Sequence, residues 1–292
     1  MRGKQLALCV FLSVATGSSA LAGDLFKPSV QDQIKLGQRA AEGLRDEMTI
    51  LEDDDPRVLE LRRLGRTLVM NIPEEEREAK PFQYTFDVVD SEEINAFALP
   101  GGPVFFFTGL LEKIETEDQL ISILAHEMTH VQKEHWASAY ADQQKRQIGL
   151  LLLLVLLDAN DTLFNVAAVS DELLFTLPFS RRHESEADRI GYDMVVEASF
   201  NPQGMVDVFK MLKEVAGGGG GKFDEYFSTH PTHDRRIRDI EERIEKSETE
   251  FPEQIKREIG LLRQAVASSV FLTVRMLASA ASRPATDLNA AA

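Results

Sequence analysis

Two histidines four residues apart, with a glutamate beside the first, stand in the stretch HEMTH, His126 to His130. On an α-helix, four residues advance about 400°, or about 40° past a full turn, so His126 and His130 project from one face and can share a cation. Glu127 lies about 100° round, next to that face. Zinc held by two imidazoles and a carboxylate keeps a fourth position for a water that the ion acidifies. A carboxylate beside that water can take its proton as it attacks a peptide carbonyl. The stretch therefore predicts one Zn2+ per chain, with Glu127 as general base and later proton donor.

The third ligand has to come from elsewhere in the chain. The version of this motif with a downstream histidine places it ten residues after the first, where this sequence has Trp136, and needs a glycine where it has Lys133. His135 falls about half a turn from His126 on a continuous helix, which makes it a packing or surface histidine. Cys9 is the single cysteine, and it sits in an apolar leader, so a thiolate site and a disulfide framework are both excluded. Carboxylates remain, and they concentrate in RRHESEADRIG, Arg181 to Gly191. On a helix Glu184 and Asp188 share a face, while Glu186 points away by about 200°. Glu184 as ligand, with Asp188 as partner to a ligand histidine, is the economical assignment.

These residues need helices to hold them. Thr116 with Gln119 reads as a capping box that opens a helix running from Glu117 through roughly Gln144. A second helix over about Arg182 to Ala198 carries the acidic cluster. Two helices are expected between Val30 and Ile72, broken at Glu52 to Pro56 and ended by Pro73 and the charges up to Lys80; further helices are expected over Pro202 to Val215, Arg236 to Lys246 and Gln254 to Ser279. Phe82 to Val89 reads as a strand, and Ile94 to Leu99 and Val104 to Phe107 read as two strands around Pro100-Gly101-Gly102. Together they make a small antiparallel sheet. The apolar run Ile148 to Leu157 is about half of the ~20 residues needed to span a bilayer; it reads as a buried helix or as one that dips into lipid or meets substrate. Gly217 to Gly221 is a flexible loop.

Arg2 and Lys4, an apolar run from Leu6 to Ala15 and the small-residue exit ending Ala20-Leu21-Ala22 have the form of a cleaved secretory leader over residues 1–22. A protease domain over 23–282 and a disordered tail over 283–292 complete the expected layout. Of the 292 residues, 32 are basic and 48 acidic, and the resulting net charge of −16 repels nucleic acid and anionic lipid headgroups, so no nucleic-acid partner is expected.

HEMTH and SRRHESEADRIG, with NAFALPGG upstream and STHPTHDRRI downstream, follow one another between about Tyr84 and Ile237. In this they resemble zinc metallopeptidase family forty-eight, the HtpX, BepA, Oma and CAAX prenyl protease type. The resemblance implies that the glutamate of the ExxxD motif, here Glu184, is the third zinc ligand, and that Asp188 is its aspartate, in agreement with the helical-face reading. It implies an α+β, mostly helical, zincin-like fold in which an edge strand pairs with extended substrate. Asn95, Ala96, Phe97 and Ala98 lie in the stretch that would supply that strand, as a substrate shelf or simply as a core strand. It also implies that His230 can approach the zinc as an extra ligand, and that Arg236 is a candidate to stabilise the tetrahedral oxyanion; the plainer readings are a loop histidine and a helix-start arginine. The chain departs from the integral-membrane members in lacking several spanning helices, and from BepA in lacking a helical repeat after Arg236.

The expected function is that of a periplasmic zinc endopeptidase. Its substrates would be unfolded or misassembled envelope proteins, with the outer-membrane assembly machinery as a candidate partner. Two competitors use the same residues. One is a chaperone-like binder that holds extended clients without cutting them, and the other is a structural zinc site closed by His230.

Overall fold

The computed structural model describes residues 26–156, 179–217, 230 and 234–257. The expected leader and C-terminal tail, residues 218–221 of the glycine run and the side chains of the apolar run 148–157 lie outside the described residues, as does most of the helix expected after Gln254.

Helix α1 (Val30–Glu47) is capped by the Ser29 hydroxyl, and α2 (Pro56–Asn71) by the Asp55 carboxylate with Pro56 at the first helical position. The charged run that ends α2 folds into one short helix, α3 (Glu74–Ala79), whose first turn is all glutamate, as the positive end of a helix favours. Three strands follow, β1 (Thr85–Val89), β2 (Ala96–Ala98) and β3 (Pro103–Phe107). After a four-residue helix α4 (Thr108–Leu111) come α5 (Glu117–Gln132), α6 (His135–Leu156), α7 (Arg181–Glu197), α8 (Gln203–Gly217) and α9 (Asp234–Glu245).

The sheet has the order β1-β3-β2 and is mixed, not purely antiparallel as the sequence suggested. The hairpin through Gly101 (φ 83°) pairs β2 antiparallel with β3 as expected, but β1 runs parallel to β3 on the other side. The cause is the link after β1. Thr108 at the end of β3 takes the Ser91 N–H on its hydroxyl at 3.0 Å and donates to the Ser91 carbonyl at 2.8 Å, so the chain crosses the end of β3 before entering β2. Central β3 is buried along its whole length, and its run of three phenylalanines follows from having both faces covered. On one face Phe105 and Phe107 pack with Phe97, Leu99, Ala41 and Leu44, beneath α1. On the other, Val104 and Phe106 join the main core with Val88, Leu64 and Leu124.

Helix α5 is the centre of the molecule, buried from Asp118 to Gln132. Its predicted capping box is present: the Thr116 hydroxyl accepts the Gln119 N–H at 3.2 Å, and the Gln119 amide oxygen accepts the Thr116 N–H at 3.2 Å. Buried Asp118 accepts the backbone N–H groups of Asn201 at 2.7 Å and Ile255 at 2.6 Å, tying the start of α8 and the last described segment to the first turn of α5. That segment is not helical over 254–257, because Lys256 bridges to Thr116 as a strand would.

The helix expected to continue to Gln144 instead breaks after Gln132. Glu134 takes a left-handed conformation (φ 54°) and starts α6 in a new direction. Such a backbone costs a non-glycine residue about 1–2 kcal/mol. Distant partners hold it in place: the Glu134 carboxylate meets Lys80 at 2.7 Å, Gln33 at 2.8 Å and Lys27 at 3.4 Å. Burial pushes this carboxyl up, and those three partners outweigh the burial and hold it below the usual range. None of them is near Glu134 in sequence, so the break is invisible to a local reading.

Arg257 closes the fold at the other end. It donates to Glu60 at 2.6 Å and to the carbonyls of Leu111 at 2.5 Å and Ile114 at 3.1 Å, all buried. Arg257→Leu leaves the Glu60 charge unpaired and is expected to lower stability by about 3–5 kcal/mol. Urea unfolding measures this; a loss under about 1 kcal/mol would show the pair to be dispensable.

Candidate metal centre

Helix α7 crosses α5 at the HEMTH turn, and Gly191 permits the approach: a Cβ there would stand 3.2 Å from the His126 nitrogen and 3.4 Å from its Cα. The crossing sets Glu184 and Asp188, on one face of α7, against His126 and His130, on one face of α5. Helix α9 and the residue His230 close the third side. His126, His130, Glu184 and His230 are all buried, and each offers one ligand atom within 4.8 Å of the others. The individual separations are His126 Nε2 to His130 Nε2 3.1 Å, His126 Nε2 to His230 Nδ1 3.4 Å, and His230 Nδ1 to Glu184 Oε1 3.1 Å. Glu184 lies 3.6 Å from His126 Nε2 and 3.5 Å from His130 Nε2. Donors about 2.0–2.1 Å from a tetrahedral ion stand about 3.3 Å from one another, so the set fits a metal such as zinc in both size and donor chemistry.

The residues around these four hold the charges. His126 Nδ1 is 3.0 Å from Asp188 Oδ1, although not aligned for a straight hydrogen bond. Arg236 grips both carboxylates: Nε and Nη2 donate to Asp188 at 2.6 and 2.7 Å, and Nη1 is 2.7 Å from Glu184 Oε2. Its guanidinium lies 4.5 Å from the centre of the Phe209 ring. Burial pushes the Glu184 carboxyl up, but His230, His126 and Arg236 together bring it below the usual range. Asp188 follows the same logic, with burial outweighed chiefly by Arg236. Burial and the neighbouring imidazoles push His130 well below its ordinary value, leaving it neutral and able to ligate. Burial also lowers His230, but Glu127 and Glu184 win and raise it.

Glu127 is buried beside this group. Its Oε1 lies 3.6 Å from His230 Nε2 and has no hydrogen-bond donor among the described residues. Burial pushes its carboxyl up, opposed by His230, by His126 and by the nearby Ala98 backbone. That proximity connects the centre to the sheet. Asn95 and Leu99 bond to β3, through Phe107 N–H to Asn95 O at 3.0 Å and Leu99 N–H to Pro103 O at 2.7 Å, so by alternation the backbone groups of Ala96 and Ala98 face outward from this edge. The opposite edge of the sheet is covered, because Ile50 bridges to Val89. Of the four strand candidates, Asn95 and Ala96 are buried, and Phe97 and Ala98 are partly exposed, with the Phe97 ring stacked on Phe105 at 5.4 Å.

The structure thus brings Glu127, Asp188, His230 and Arg236 together with His126, His130 and Glu184, and sets the outward edge of β2 against Glu127. One sequence expectation is corrected. His135 does not turn away, because the break at Glu134 returns it to the centre with Nδ1 3.0 Å from His130 Nδ1. Glu186 points away from the donor set, as its helical position predicts, and its carboxylate lies 3.5 Å from His135 Nε2.

This chain matches the family described as Peptidase family M48 over residues 58–244, more than half of its 292 residues. It is 35% identical over 176 residues to "Mitochondrial metalloendopeptidase OMA1" of Schizosaccharomyces pombe, covering 60% of this chain and 49% of that one. It is 37% identical over 166 residues to "Metalloendopeptidase OMA1, mitochondrial" of Bos taurus, covering 54% of this chain and 32% of that one. With "Beta-barrel assembly-enhancing protease" of Escherichia coli (strain K12) it shares 30% identity over 224 residues, 74% of this chain and 44% of that one. The chain therefore spans about half or less of the length of these relatives. The matched stretch runs from α2 to the last turn of α9 and takes in every residue of the donor set, and on that extent the chain belongs to peptidase family M48.

Proposed function

We propose that this chain is a zinc endopeptidase acting on extended polypeptide. The observation that carries the proposal is the buried set His126, His130, Glu184 and His230, with a buried, partner-poor Glu127 oxygen beside it and an outward strand edge leading to that glutamate. When bound, the ion supplies Lewis acidity toward a water and a peptide carbonyl. The chain's own residues do the rest. His126, His130 and Glu184 hold the ion, and Asp188 steadies His126 at Nδ1. The edge of β2 offers the backbone of Ala96 and Ala98 to an extended peptide, which selects unfolded over folded chain. Glu127 accepts a proton on Oε1 and returns it to the leaving nitrogen, and its burial, by raising the carboxyl, suits it to both transfers. Arg236 already bonds two carboxylates, so it acts by keeping them ionised and placed; an oxyanion role would require it to leave them.

His230 Nδ1 sits among the donors, which favours a closed resting state in which this histidine occupies the fourth position. The leader read from residues 1–22 supports a periplasmic site of action, and one relative's name, beta-barrel assembly-enhancing protease, supports envelope substrates and an outer-membrane partner. No helix among the described residues is long and apolar enough to cross a membrane.

Glu127→Gln is expected to keep the metal and the fold while cleavage of unfolded casein falls by about 10²–10⁴-fold. Residual activity within about tenfold of wild type would remove Glu127 from the mechanism, and wild-type protein that binds clients but never cuts them would favour the chaperone-like reading. Glu184→Ala is expected to empty the site, read as metal content after dialysis; full occupancy would exclude it as a ligand. His230→Ala is expected to raise basal cleavage and open the zinc coordination as seen by X-ray absorption. Lower turnover with unchanged coordination would rule out the latch.

A further inference from the structure

Each histidine of the HEMTH pair turns Nε2 toward the donor set, so each must carry its proton on Nδ1 and needs an acceptor there. For His126 the group facing Nδ1 is the Asp188 carboxylate, at 3.0 Å. For His130 it is another imidazole: His135 Nδ1, at 3.0 Å. An acceptor at Nδ1 requires that His135 hold its own proton on Nε2; that buried atom has no hydrogen-bond partner among the described residues, and the carboxylate facing it is Glu186, with Oε2 at 3.5 Å. The His135 ring is buried, is stacked on His183 with centroids 4.5 Å apart and planes 12° apart, and follows directly on the clasped Glu134 turn, so its position is set from three sides.

Resting on the reading of a zinc centre, we propose that His135 and Glu186 are positioning residues. In this role they form a carboxylate–imidazole relay that fixes the tautomer and orientation of His130 as a metal ligand. The acids of α7 are then divided by helical position: Glu184 to the ion, Asp188 behind His126, and Glu186, on the opposite side of the helix, behind His130 by way of α6. Nothing in the relay touches substrate, so its effect is on how tightly the ion is held.

The test is competition for Zn2+ alone against a chromophoric chelator, with the apo-protein melting temperature measured in parallel. His135→Phe keeps the ring and removes the acceptor, and it is expected to weaken zinc binding by about 10–100-fold. His135→Asn puts an amide oxygen near the lost Nδ1 and is expected to recover most of that affinity. Glu186→Ala, at a partly exposed position, is expected to weaken binding in the same direction by a smaller factor and carries the test if His135→Phe does not fold. Zinc affinity within twofold of wild type in His135→Phe, or in Glu186→Ala where that variant carries the test, would overturn the relay, as would equal losses in the Phe and Asn variants. A loss that scales only with a lowered apo melting temperature would make His135 a packing residue and would also overturn it. Wild-type protein that fails to compete for zinc would refute the metal centre itself, which the variant-to-wild-type ratio does not address.

Discussion

One buried guanidinium makes the rest of this site possible. Glu184 and Asp188 sit a helical turn apart on α7, both almost wholly out of water, where two carboxylates would ordinarily repel each other and take up protons. Arg236 bonds both, and the energy of a buried charge makes that contact obligatory, because removing either sign would leave the other uncompensated. Only with the acids ionised can one of them ligate a cation and the other set a negative charge against Nδ1 of His126. Arg236 and the nearby His230 reach the site from beyond α8, so the centre is complete only once α9 has docked against α7 and α8.

Around that ion pair, the elements are coupled to one another through the site. Glu127 lies beside the Ala98 backbone, which sets the HEMTH helix against the edge of the sheet that would receive substrate. His126 leans on α7, and His130 leans on the first residue of α6. A shift of any one helix therefore moves a donor atom, and the close crossing at Gly191 leaves little room for such a shift. The rigidity of this core agrees with a centre whose donors are already at ligating distances.

His126, His130 and Glu184 were legible because helical periodicity is local. HEMTH and ESEAD place their side chains by rotation about an axis, and a regular axis can be read from spacing alone. The capping box at Thr116, the hairpin at Gly101 and the strand bounds are likewise short-range. The reading failed where a long-range contact overrode the local rule. His135 was placed on a helix continued through Glu134, but three residues from other parts of the chain hold Glu134 in a left-handed turn and swing His135 inward. The parallel pairing of β1 with β3 failed for the same reason, since the Thr108 clasp on Ser91 belongs to the fold and not to either strand.

By itself the sequence determined which residues could bind a metal and which helical faces carry the imidazoles and acids. Those conclusions need only side-chain chemistry and the 3.6-residue turn. Only the tertiary structure decided that Arg236 serves two carboxylates, that His230 stands within the donor set, and that His135 lies between His130 and Glu186. Each of these joins residues on different elements, and their separation depends on how buried helices pack, a quantity set by the whole core and not by any stretch of chain.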